Sequence, residues 1–418
     1  MRKMFLSVAL ALTVLVSVNA HGENWPQWRG PNQNGAAEGK GFPTKWGEED
    51  GLLWKVKIPG WGTSTPVIWE EHIFLSCEDD AKNALVCLNR QGERRWLTHF
   101  GATAGNRNRK ASGANPSPVT DGKHVFVYFR SGDVACVDFD GKVVWHSNLQ
   151  EQHGRDQLWW DLGTSPVLTR KAMVIAVMHQ GPSYLVALDK QTGKQLWQHE
   201  REVDAPGEAR DSYTTPIVIK VAERETVLVL GADHVTAHDA ANGKETWRVG
   251  GLNPNRRGNY RSISSPVLAD DMLIAPYSRG ATLTAIRLGG DGDVTKSHVA
   301  WTIDISAGDV PSPVSHDGKI YLCGDRGKVT CVEASSGKQL WTEDLPRSRY
   351  SFSSSPIVAG GNLYLTRENG TTYVLKLDDK PTLIATNVLR ENTYATPVFI
   401  DAKIFLRTSD YLVCIGAQ

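Results

Sequence analysis

Apolar and polar positions along this chain sort into short runs, not into the longer 3.6-residue rhythm of helices. The first clear set falls at residues 65–69, 72–77, 84–89 and 94–100. Gly, Asn and Asp clusters separate the runs, as hairpins between antiparallel strands require. The first run opens on Pro, which a sheet tolerates only at a strand start or an edge. Four short antiparallel strands in one unit predict a propeller blade.

The unit repeats. A hydroxyl–Pro–aliphatic step opens it at Thr65-Pro66-Val67, Ser117-Pro118-Val119, Ser165-Pro166-Val167 and Thr215-Pro216-Ile217, then at Ser265-Pro266-Val267, Ser312-Pro313-Val314, Ser355-Pro356-Ile357 and Thr396-Pro397-Val398. These eight copies lie roughly 40–50 residues apart, a period that means stacked units. The fourth run ends in most copies on Gly-Lys-x-x-Trp. Trp96, Trp145, Trp197, Trp247 and Trp341 share one slot, Trp301 reaches it after a longer Gly-Asp-rich turn, and the seventh unit has no Trp there. Such a Trp offers a flat face to the next blade, so the contact made by the seventh unit should be the weaker one. The eighth copy stops after its third strand, while residues 52–58, centred on Trp54, read as a fourth strand without a unit. The expected fold is therefore all-β: an eight-bladed β-propeller of four-stranded antiparallel blades, its ring closed by the N-terminal strand.

Ahead of the repeats, Arg2 and Lys3, an apolar run over residues 5–16 and Val18-Asn19-Ala20 read as a cleavable export signal. The run is too short for a membrane span, and no Cys stands at the cleavage point to carry a lipid. The expected division is a signal peptide over 1–20, an N-terminal arm over 21–50 and the propeller over 51–418. The expected location is the periplasm or the extracellular space. Trp25 and Trp28, in Asn24-Trp25-Pro26-Gln27-Trp28-Arg29-Gly30-Pro31, are expected to pack the arm against the ring.

Lys+Arg and Asp+Glu both number 46, a balance that argues against nucleic acid as partner. Of the six cysteines, Cys87, Cys136, Cys331 and Cys414 occupy the third-strand slot that Ala187, Ala237 and Ala285 fill elsewhere, the pattern of small buried residues. Cys77 with Cys87 and Cys323 with Cys331 are the two pairs that a second-to-third-strand hairpin could bring together, and the sequence leaves their state open. No nucleophile elbow, zinc helix, phosphate loop or Cys-x-x-Cys pair occurs.

The string Ala187-Leu188-Asp189-Lys190-Gln191-Thr192-Gly193-Lys194-Gln195-Leu196-Trp197 resembles the repeat signature of the PQQ-like eight-bladed β-propeller family, and the resemblance covers residues 51–418. It implies the propeller fold and two kinds of activity. Some members are scaffolds of outer-membrane assembly that bind other proteins. Others are quinoprotein dehydrogenases, which seat PQQ on the axis against a disulfide of adjacent cysteines and hold calcium with Glu, Asn and Asp. No two cysteines are adjacent here and no such calcium set maps onto the chain. The expectation is a binding protein without a cofactor, with a PQQ- and calcium-dependent alcohol or sugar dehydrogenase as the alternative.

In a propeller the loops from each fourth strand to the next first strand gather near the axis on one face. Here they carry a recurring chemistry: Arg107 and Arg109; Trp160 and Asp161; Arg210 and Tyr213; Arg257, Tyr260 and Arg261; Arg347, Arg349 and Tyr350; Arg390 and Tyr394. Arginine forks match carboxylates and aromatic rings supply stacking area, so this set predicts a channel mouth for a peptide-like or anionic partner. A small anionic ligand or a glycan is a further expectation for the same mouth. The alternative reading makes the arginines and tyrosines loop braces, ion-paired with acids such as Asp133 and Asp325.

Overall fold

The computed structural model describes residues 24–105, 108–221 and 223–417. Residues 1–20, expected to be a signal peptide, and Arg107 lie outside the described residues. Eight antiparallel sheets run in chain order around an axis, each a four-stranded meander at its core. Blade 1 comprises Val67–Trp69, His72–Asp79, Lys82–Asn89 and Arg94–Ala102. Blades 2 to 7 follow, and blade 8 takes Val398–Ile400, Lys403–Arg407 and Tyr411–Ile415 from the end of the chain. Its fourth strand is Leu52–Lys57, which pairs antiparallel with Tyr411–Ile415, Trp54 opposite Cys414. The ring closes as the repeat count requires. Two short strands extend the sheets: Ala36–Ala37 runs parallel to the first strand of blade 7, and Gly292–Asp293 runs parallel to the outer strand of blade 4. The latter pair sits in the Gly-Asp-rich turn of blade 5.

The hydroxyl of the Ser/Thr-Pro step has a definite task. The backbone N–H of Thr65 donates to Ser117 Oγ at 3.0 Å, Ser117 N–H to Ser165 Oγ at 2.9 Å, and Ser165 N–H to Thr215 Oγ1 at 3.0 Å. The chain of bonds continues through Ser265, Ser312, Ser355 and Thr396 at 2.8–3.2 Å. From blade 1 to blade 8 each first strand is thus tied to the next by a side-chain acceptor, which satisfies a buried N–H that no sheet ladder reaches. Pro follows at once because the next position needs no donor.

The Trp slot makes the outer joint. Trp96, Trp145, Trp197 and Trp301 each donate the indole N–H to a carbonyl in the turn of the following blade at 2.8–3.0 Å. The ring lies over that turn's glycine: a Cβ on Gly193, at φ +68°, would stand 2.6 Å from the Trp145 ring. The small third-strand residue pairs directly across from the Trp in blade after blade, Cys87 with Trp96, Cys136 with Trp145, Ala187 with Trp197 and Cys331 with Trp341. All six cysteines are free and buried. Cys77 pairs with Ala84 and Cys323 with Val329, so neither hairpin brings two sulfurs into register. Burial pushes the Cys77, Cys87, Cys136, Cys331 and Cys414 thiols up to about 12, which keeps them protonated and inert.

Candidate functional site

The loops between blades enclose an axial cavity of about 590 Å³. The eight Ser/Thr-Pro hydroxyl residues, from Thr65 round to Thr396, all line it. These side chains are buried, yet none of their O–H groups donates to a protein acceptor among the described residues. The wall above carries Trp160, Tyr213, Phe352 and Tyr394 together with Arg109, Lys110, Arg261, Asp161, Asp309, Asp325 and Glu368.

The other end of the channel is shut by the arm. Trp25 exchanges two backbone hydrogen bonds with Ile68 of blade 1, at 2.8 and 2.9 Å, and Pro26 accepts from Thr120 of blade 2. Trp28 lines the cavity from this side. Arg29 is buried and donates to the carbonyls of Pro356 (3.0 Å) and Pro313, across the axis in blades 7 and 6. Burial without a carboxylate partner pushes its guanidinium down to about 9. The amide of Gln33 mimics a strand, giving 2.9 Å to Val218 O and taking 3.1 Å from Val218 N in blade 4. One segment thereby touches blades 1, 2, 4, 6 and 7, and the pocket is blind. Packing of the arm was expected from Trp25 and Trp28; the crossing of the axis was not.

Of the mouth residues named from the sequence, Arg109, Trp160, Asp161, Tyr213, Arg261 and Tyr394 come together on the cavity wall. Arg210, Arg257, Tyr260, Arg347, Arg349, Tyr350 and Arg390 stand outside it. Arg257 and Arg347 are exposed on the rim, and Arg210 donates to Ala205 O at 3.0 Å. Arg349 lies 4.9 Å over the ring of Tyr350, Arg390 pairs with Glu48 of the arm at 2.9 Å, and Tyr260 packs on the core of blades 4 and 5.

The wall cations are mostly spoken for by carboxylates. Arg130 pairs with the fully buried Asp161 at 2.9 Å, and Asp161 also accepts from Asn108 N. Arg261 lies 4.9 Å over the Trp160 ring and reaches Asp309 at 3.1 Å and Glu208 at 3.4 Å. Arg279 shares Asp309 at 3.2 Å. Lys110 bridges to Glu368 at 2.8 Å, linking the loop after blade 1 to blade 7. Loop bracing is thus present, but through Asp161, Asp309, Glu208 and Glu368. Asp133 instead serves His146, Asn83 and Ser131, and Asp325 accepts the Asp309 N–H. Burial, reinforced by Asp309, raises the Asp325 carboxyl above its usual range. Sequence reasoning passed over Lys110, Asp309, Phe352 and the hydroxyl band; for the last, the eightfold recurrence of Ser/Thr was itself the signal.

Comparison with known proteins adds a lineage. The family model described as outer membrane protein assembly factor BamB matches residues 37–200 and 180–381. Outer membrane protein assembly factor BamB of Moranella endobia (strain PCIT) is 26% identical over 285 residues, 67% of this chain and 64% of that protein. BamB of Yersinia pestis is 23% identical over 314 residues, 74% of each chain. The chain therefore spans a little under two thirds of the length of the first of these relatives. Among solved structures, BamB from Moraxella catarrhalis superposes with a TM-score of 0.62 at 13% identity, over 87% of this chain and 99% of that one. A europium-containing methanol dehydrogenase gives 0.71 at 11% identity, over 93% and 89%. Quinohemoprotein alcohol dehydrogenase ADHIIG from Pseudomonas putida HK5 gives 0.68 at 11%, over 94% and 81%. At such identities the likeness to solved structures establishes the propeller and no activity.

Proposed function

The chain belongs to the family of outer membrane protein assembly factor BamB, and from that premise we propose that it is an exported scaffold that binds a protein or peptide partner on its loop face. The observation that carries this reading is the split of the mouth residues. Arg257 and Arg347 are exposed on the rim with no side-chain partner among the described residues, and Arg349 stands on Tyr350 beside them. Exposed Arg with aromatic support is the composition of a protein-binding rim, and it favours an acidic or extended segment. Cleavage of a signal peptide after residue 20 and release into the periplasm or medium belong to the same proposal.

The quinone reading fits the residues less well. PQQ brings three carboxylates. Of the three cavity cations, Lys110 is matched by Glu368 and Arg261 by Asp309 and Glu208, which leaves Arg109 alone, among the described residues, to face three carboxylates. Among the described residues no three His, Cys, Asp or Glu side chains cluster as metal ligands. The donor set does not suit the group, and no redox step is derived from it.

The test is a photo-crosslinker at position 349 in the exporting cell, read by mass spectrometry. A discrete crosslinked protein, lost when Arg257→Glu and Arg347→Glu are added to the crosslinker-bearing chain and weakened by salt, is the expected result. No specific crosslink, together with dye reduction when purified protein is given PQQ and calcium, would overturn the proposal.

A further inference from the structure

We propose that the blind axial pocket is a binding site for a neutral saccharide of one to a few units, separate from the partner-binding rim. The claim does not rest on the scaffold reading. It rests on five properties of the cavity that converge on one ligand chemistry.

The pocket is closed beneath by Trp28 and Arg29, so a ligand enters and leaves by the loop face and is held, not passed through. Its volume of about 590 Å³ lies within the roughly 300–1,000 Å³ of small-molecule sites, too narrow for a folded segment. Its floor is a band of buried hydroxyls, seven of which, from Ser117 round to Thr396, already accept a backbone N–H. Each retains a rotatable proton without a protein acceptor among the described residues. Such a floor offers uncharged donors that turn to suit the ligand, and a ligand oxygen relieves them.

Charge decides between ligand classes. The wall carboxylates and cations neutralise one another in pairs, Lys110 with Glu368 and Arg261 with Asp309, and break apart only at a cost. An anion finds Arg109 alone without a carboxylate partner among the described residues and meets the Asp325 carboxylate as well, while a cation meets Arg109. A neutral ligand meets neither penalty. The wall supplies aromatic faces as well: Trp160 is 39% exposed although its backbone N–H donates to Tyr213 Oη, its indole N–H donates to Glu208 and Arg261 lies over one side of its ring. A rigid, half-bare indole above a hydroxyl floor suits a ring with C–H faces and many groups that both donate and accept, which is a sugar.

The test uses the full mature chain in titration calorimetry with intrinsic Trp fluorescence. The probes are neutral trisaccharides (maltotriose, cellotriose, mannotriose and chitotriose), trigalacturonate as the anionic counterpart, and PQQ. At least one neutral trisaccharide is expected to saturate. Trp160→Ala should weaken it about tenfold or more, and Trp160→Phe by no more than about threefold. Trigalacturonate should bind at least about tenfold more weakly. The rim variant Arg257→Glu/Arg347→Glu/Arg349→Glu should leave sugar binding unchanged, which separates this site from the partner surface. The proposal fails if no neutral sugar saturates by about 10 mM, if Trp160→Ala binds normally while folded by circular dichroism, or if trigalacturonate or PQQ binds more tightly than every neutral probe.

Discussion

Single side chains on the mouth loops show how far burial overrides composition. Asp211 is fully buried one loop from the cavity; its Oδ2 takes a 3.3 Å bond from Gln180 and its Oδ1 has no partner among the described residues. Burial pushes the carboxyl up to about 6, with Glu208 and Asp156 adding to the effect. In the window between the unfolded value near 4 and about 6, the folded chain holds a proton that the unfolded chain has released, so this group's contribution to stability falls as pH rises through it. Asp211→Asn should therefore stabilise the protein by about 2 kcal/mol at pH 7.5, the gain vanishing toward pH 4. Paired denaturant titrations at the two pH values measure it, and an equal difference at both would show that the carboxyl is not buried as described. The same scale explains what the sequence left hidden. Arg261 and Arg257 look alike in the chain, four residues apart, yet one is clamped by Asp309, Glu208 and Trp160 while the other is free on the rim. Loops carry no period from which to read direction, and their partners come from other blades.

Within the blades the period is the information, and there the strands were legible. Ser/Thr-Pro marks the inner strand because an N–H must be met across blades; Gly-Lys-x-x-Trp marks the outer turn because an indole must lie on a bare glycine. Blade 7 breaks the second rule, with Ala385 opposite Val374 where other blades set Trp opposite Cys or Ala. The expected weakness there has a repair that the repeat pattern does not announce. Trp46 of the arm stacks on Tyr364, the second-strand position that faces the Trp in other blades, at 6.4 Å and 18°. Its backbone N–H donates to Asn387 of the same blade at 3.0 Å, and Phe42 meets Phe399 of blade 8 edge-on at 5.5 Å. The arm supplies from outside what the seventh repeat lacks. Trp46→Ala should cost about 3–5 kcal/mol, as for a core aromatic, although position 46 lies outside every repeat. Trp46→Phe should recover most of the loss. Thermal melts of the two variants check this, and a Trp46→Ala melt within about 2 °C of wild type would remove the arm from the seam.

At the scale of the whole ring, two parts of the N-terminal region do different physical work, and truncation separates them. Leu52–Lys57 is a structural strand: without it Tyr411–Ile415 has an unpaired ladder, blade 8 has three strands, and the Trp54 indole no longer bonds Arg90 O at 2.9 Å in blade 1. An open edge of that length invites pairing between chains. Residues 24–37 are a plug. They cap a ring whose blades are already joined by the hydroxyl bonds and the Trp slots, and they add Trp25, Arg29 and Gln33 contacts across its axis. Removal of the chain up to residue 37 should therefore leave a monomeric, folded propeller with a lower melting temperature and a channel open at both ends. Saccharide affinity should drop with it, since Trp28 and the closed floor go together. Removal up to residue 58 should give no soluble monomer. Light scattering and circular dichroism of the two truncations decide the matter. The strand was readable because the last repeat visibly lacks one. The plug was not, because a segment that touches five blades by a different contact on each has no repeat to match and reveals itself only when the ring is built around it. A soluble monomer from the longer truncation would mean that the hydroxyl band alone holds eight blades, and the N-terminal strand would then be an accessory to a ring that closes without it.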